Sequence, residues 1–178
     1  MQASYLEASR AYAVNVSLNT RWYLHAMRVL RVSGKHFDVD GLLASSGLTP
    51  CKVFRAGEPL ASSRPDGGRH EESGFTVEVS RGSWSSLAGQ ASDAVAFLQR
   101  HGDALTVLRA APGVEDVRLD FPIDLRIDRD TVMAQFDYFP PELVSLAGAL
   151  GLGLELSIYP ADFEELARAR ARKRDSIA

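Results

Sequence analysis

The chain has 178 residues, 46% of them hydrophobic and 24% charged, with a formal net charge of −3. A chain of this length buries roughly two-thirds of its unfolded surface around one core, so residues 1–178 read as a single folded domain, well away from disordered compositions. The slight acidity offers no basic field to a phosphate backbone and argues against nucleic-acid binding. The lone Cys51 has no partner for an intramolecular disulfide, which points to the reducing cytoplasm. Residues 1–9 lack the charged start and apolar run of an export signal, and no later run approaches the ~20 apolar residues of a membrane span.

Residues 12–18 alternate Tyr12, Val14, Val16 and Leu18 against Ala13, Asn15 and Ser17, which predicts a half-buried edge strand within an N-terminal extension, 1–23. Residues 24–32 are bulky and end at Ser33-Gly34, the pattern of a more central strand. Asp38 is placed to cap a short helix, with Phe37 positioned to pack on Leu42 and Gly47 closing the far end. Residues 55–74 turn to Gly, Pro, Ser and charge, a surface loop. Phe75, Val77 and Val79 then alternate as a short strand. Ser85 or Ser86 caps the longest helical stretch, where Leu87, Ala91, Ala94, Val95 and Leu98 share one face, and Leu105 and Leu108 follow a break at Gly102.

The clearest pattern is residues 117–128, where Val117, Leu119, Phe121, Ile123, Leu125 and Ile127 alternate with polar residues and Pro122, predicting one buried and one wet face. Residues 131–138 repeat the alternation after a polar turn, so an antiparallel hairpin is the simplest connection. Pro122 marks a bulge or edge. Pro140-Pro141 opens a helix with the stripe Leu143, Leu146, Ala147 and Leu150, ended by Gly151. Leu152, Leu154, Leu156 and Ile158 form the last strand, stopped by Pro160. Residues 161–178 are a charged tail whose Arg168, Arg170, Arg172, Lys173 and Arg174 read as a solvated end or as a contact for anionic partners. The expected fold class is α+β: a two-layer sandwich, mainly antiparallel, with helices on one face and a ferredoxin-like core as one arrangement.

Catalytic spacings are missing. His25, His36, His70 and His101 are scattered, and no nucleophile elbow, Walker A sequence or dinucleotide fingerprint is present, so no catalytic residue, cofactor or metal is expected. Asp120, Asp124, Asp128, Asp130 and Asp137, with Glu115 and Asp116, could line one side of the hairpin. Hard-cation binding and a solvated face are the two readings, and the interleaved Arg118, Arg126 and Arg129 favour the second. Cys51 reads as an inert small hydrophobe sooner than a reactive thiol. Arg55, His70 and Trp84 are candidates for the mouth of a pocket. The plainer alternatives are an exposed loop residue for His70 and packing at the loop–helix junction for Trp84. Phe136, Tyr138 and Phe139 read as core and hinge residues.

Three stretches carry a resemblance: Val114-Glu115-Asp116-Val117-Arg118-Leu119-Asp120-Phe121, Asp137-Tyr138-Phe139-Pro140-Pro141-Glu142-Leu143, and Leu154-Glu155-Leu156-Ser157-Ile158-Tyr159-Pro160. Together with Gly34, Arg55-Ala56-Gly57-Glu58-Pro59 and Trp84, they make residues 24–160 similar to the bacterial family called domain of unknown function 4279. The resemblance implies a compact, intracellular bacterial domain and transfers no catalytic residue.

With catalytic spacings absent beside an acidic surface, the expected role is a non-enzymatic protein-binding module, an immunity-type protein that masks a toxin being one form of it. Asp120, Asp124 and Asp128 are its candidate contact residues. A small-molecule binder or enzyme built on Arg55, His70 and Trp84 is the alternative. A homo-oligomer paired through the edge of residues 12–18 is the third reading.

Overall fold

A computed structural model describes residues 28–60, 65–128 and 130–160. The strand expected at 12–18, the first residues of the 24–32 stretch and the basic tail therefore lie outside the described residues. The elements run β1 (Arg28–Gly34), α1 (Val39–Ser46), β2 (Lys52–Phe54), β3 (Ser73–Ser80), α2 (Leu87–Ala110), β4 (Asp116–Asp124), α3 (Pro141–Ala149) and β5 (Gly153–Tyr159). They form one sheet of order β2-β3-β1-β4-β5, antiparallel at every boundary except β4–β5, which is parallel. The first four strands, with α1 and α2, have the connectivity and order of a ferredoxin-like core, to which α3 and β5 add one parallel unit.

One face of the sheet carries the core. Leu30 and Val32 of β1, Phe75 and Val77 of β3, and Val117, Leu119, Phe121 and Ile123 of β4 pack against Leu42, Ala94, Leu98, Leu105, Leu108 and Leu143 from the three helices. The two-layer α+β sandwich is thus the fold, with β1 in the sheet centre as its apolar run requires. Register brings Leu30 opposite both Val77 and Leu119, and Val32 opposite both Phe75 and Val117, so the alternating apolar residues of three strands form continuous rows.

Local signals set the helix ends. Asp38 accepts a hydrogen bond from Gly41 N at 3.0 Å, and Gly47 closes α1 at φ +66°. Ser86 caps α2 by accepting from Gly89 N at 3.2 Å. Gly102 does not break α2, which runs unbroken because its partners Leu98, Leu105 and Leu108 are all buried on one side. At the entry to β4 the chain must pass β1 closely: a Cβ on Gly34 would lie 2.0 Å from the Gly113 carbonyl oxygen.

The hairpin over 117–138 is not formed. β4 ends at Asp124, with β5 paired along one edge to that residue; on the other edge β1 pairs only as far as Asp120, and beyond it the Pro122 carbonyl accepts from the Gln90 side chain instead of a strand. Nor is the outer face of β4 uniformly wet, because Asp120 and Pro122 on it are buried. Pro122 sits inside a strand paired on one side with β5. Residues 55–60 and 65–72 are also more than a plain loop. Gly57 N donates to His70 O, His70 N to Glu58 O and Leu60 N to Gly68 O, forming the ladder of a small hairpin.

Candidate functional site

Between β4 and α3, the described residues of 125–139 belong to a long connection without regular secondary structure, a length that compact domains keep mainly for functional loops. Its outgoing leg continues from β4, where Leu125 N donates to Tyr159 O at 2.7 Å. The tip is built around Asp128. Its carboxylate accepts from Asp130 N, Thr131 N and the Thr131 hydroxyl at 2.6–2.7 Å, and those bonds hold its pKa down to about 2.

Gln135 performs the task of a missing strand ladder. Its carbonyl oxygen accepts from Arg126 N at 2.8 Å, and its amide donates to Asp124 O at 3.3 Å and to Asp137 Oδ2 at 2.7 Å. Arg126 closes the same ring by an ion pair with Asp137 at 2.7 Å. Phe139 anchors the return, tilted against the buried Phe121 with ring centroids 5.0 Å apart. With Gln135 and Asp137 turned inward, their neighbours Phe136 and Tyr138 face out, 90% and 70% exposed, and Met133, nearer the tip, is 95% exposed. Phe136 and Tyr138 are therefore not core residues, in contrast to Phe139, because among the described residues no second layer covers the outer side of this leg.

The acidic candidates separate. Asp120, only 4% exposed, lies on the sheet face away from the helices and accepts from Arg31 Nε at 3.1 Å, Arg31 Nη2 at 2.6 Å and the Ser157 hydroxyl at 2.6 Å. Burial is the largest influence and works against the Arg31 charge, but Asp120, with Glu155 and Tyr159 adding to it, outweighs burial and the arginine pKa rises. Asp120 is thus the centre of a structural ion pair and not part of a solvated face. Asp124 closes β4, and Asp128 caps the loop tip. Among the described residues no group of three His, Cys, Asp or Glu side chains is arranged to hold a metal ion.

Register places Lys52, Thr76, Arg31, Arg118 and Gly153 in one row across the same face. Arg118 pairs with Asp116 at 3.0 Å and Glu155 at 3.3 Å. Burial, and then the neighbouring Arg31, lower the Lys52 amine to about 8, and its Nζ lies 5.3 Å above the Phe54 ring. Cys51 is half-buried with its Sγ 3.2 Å from the Thr76 hydroxyl.

Arg55, His70 and Trp84 are not brought to one mouth. Arg55 is exposed and donates to both oxygens of Asp40 at 2.8 Å. His70 stacks on Phe54 at 4.7 Å, its pKa lowered by burial and by Lys52. Both sit by the first residues of β3, whereas Trp84 follows its last, roughly 23 Å along an extended strand. Trp84 is buried and packs on Tyr159 at 4.6 Å, beside the Gln90 amide that donates to Ser83 O and Pro122 O. A shallow cleft of about 400 Å³ opens elsewhere, between Leu48, Glu78, Asp93, Phe97 and Arg100, and none of the three lines it.

Sequence reasoning missed the exposed Met133 and the pinning Gln135. The cue was available in part: a polar residue with a long amide side chain stands in the middle of the second alternating stretch. No family model, curated protein or solved structure matches this chain.

Proposed function

We propose that this chain is a non-enzymatic protein-binding module whose contact surface is the loop at 125–139. One observation carries the reading: Met133, Phe136 and Tyr138 project into solvent from a loop whose backbone is held by Gln135, Asp128 and the Arg126–Asp137 pair. Exposed Met and aromatic side chains are the residue types enriched at protein contacts, and a backbone fixed beforehand lowers the ordering cost of binding. The exposed Asp128, Asp130 and Glu142 give this surface an acidic rim, which steers a partner with a basic surface.

Masking a toxin is the finer form of the same proposal, together with cytoplasmic residence and membership of the family that residues 24–160 resemble. No helix among the described residues is long and apolar enough to cross a membrane. The pocket reading loses its support, because Arg55, His70 and Trp84 do not converge.

The test is affinity capture from the native host with the full chain and with the variant Met133→Ser, Phe136→Ser, Tyr138→Ser. The expected result is one stoichiometric partner retained by the first and lost by the second. Capture of the same proteins by both, or of none by the unaltered chain, removes the reading. A toxin gene next to this one supports the finer form, and a metabolic neighbourhood counts against it.

A further inference from the structure

We propose that β5 is a self-association edge, pairing antiparallel with β5 of a second copy about a two-fold axis at Leu156. The inference is independent of the loop contact.

β5 is the last strand of the sheet, and among the described residues nothing pairs with its outer side. Natural edge strands are blunted by charge, proline, bulges or extreme shortness. β5 has seven residues, Gly-Leu-Glu-Leu-Ser-Ile-Tyr, with no proline or lysine. Its one charge, Glu155, is engaged by Arg118 on the face away from the helices. On the helix side of the sheet, Leu156 and Ile158 remain 36% and 56% exposed.

Hydrogen-bond parity fixes the register. Tyr159 O accepts from Leu125 N, so Tyr159, Ser157, Glu155 and Gly153 direct their backbone groups toward β4. Leu154, Leu156 and Ile158 then direct theirs outward, and a partner strand must align outward residues with outward residues. A two-fold centred on Glu155 sets that carboxylate against itself. One centred on Ser157 leaves Leu154 opposite Pro160, which has no N–H to give. Centring on Leu156 pairs Leu154 with Ile158, Leu156 with Leu156 and Glu155 with Ser157, so all three outward residues bond and no like charges meet.

The experiment is sedimentation of the full chain over a concentration series, beside Leu156→Lys, with circular dichroism to verify the fold of each. The unaltered chain is expected to rise reversibly to twice its monomer mass. Leu156→Lys, which sets two ammonium groups opposite each other, is expected to weaken association about tenfold or more. A second measurement uses Leu156→Cys in a Cys51→Ser background, expected to form a disulfide-linked dimer on mild oxidation. Ile158→Cys in the same background is expected not to, since its twin lies about 13 Å away along the strand. A chain that stays monomeric to millimolar concentration, association unaffected by Leu156→Lys, or linkage at 158 in preference to 156, overturns the proposal.

Discussion

β4 and the leg at 131–138 both carry an alternating sequence pattern, yet they are held by different forces. β4 is bonded along both edges, to β1 and β5, and buries Val117, Leu119, Phe121 and Ile123 under the helices. The leg makes few backbone bonds, borrows its hydrogen bonding from Gln135 and Asp128, and turns Phe136 and Tyr138 outward. Apolar burial therefore stabilises the first region, whereas polar side chains only position the second. A surface positioned in this way is open to change on its outer side at little cost to folding, which suits a contact site.

The largest expected effect is on the β4 side. Phe121→Ala empties a buried aromatic position that also anchors Phe139, and should lower stability by about 3–4 kcal/mol in chemical denaturation. Asp120→Ala should cost about 2–3 kcal/mol, because it leaves Arg31 and the Ser157 hydroxyl without their shared acceptor; the partial exposure of Arg31 keeps the loss below that of a fully buried pair. Equal stability of this variant and the unaltered chain would return Asp120 to the solvated face.

Effects in the loop should be smaller and local. Gln135→Ala is expected to cost about 1 kcal/mol globally, with amide exchange rising at Arg126 and its neighbours and unchanged in β4. Lys52 gives a pH signature. Its folded pKa of about 8 lies below the ordinary 10.5, so between these values the unfolded chain binds more protons and stability rises with pH. Below about 8 the charged amine disfavours the fold throughout. Solvent screening holds the difference to about 1 kcal/mol or less, and Lys52→Met should flatten the rise. The smallest effect belongs to Phe136→Ser, expected within about 0.5 kcal/mol of the unaltered chain, since its side chain has little packing to lose.

The fold was legible in the sequence wherever the signal was local. Asp38, Gly47 and Ser86 mark helix ends by chemistry that acts within three or four residues, and the alternation at 117–123 marks a strand because its apolar side is buried in the common core beneath the helical layer. The same alternation misleads at 131–138. Whether it becomes a strand depends on the edges of β4 near Asp124, and those are met by β5, which arrives later in the chain, and by the Gln90 side chain from α2. The three residues of β2 are too few to show a period. Asp120 was legible as a carboxylate but not as a buried one, since its partner Arg31 lies 89 positions away. Gathering Arg55, His70 and Trp84 failed for a similar reason, because sequence does not say which end of β3 each will meet.

The most direct test of the contact surface replaces Phe136 by a photo-crosslinking phenylalanine analogue, with the same analogue at the exposed Val107 of α2 as the control. On irradiation in the native host, position 136 is expected to yield a discrete protein adduct that position 107 does not. Equal adducts at both positions, or none at 136, would contradict the assignment of residues 125–139 as the binding surface.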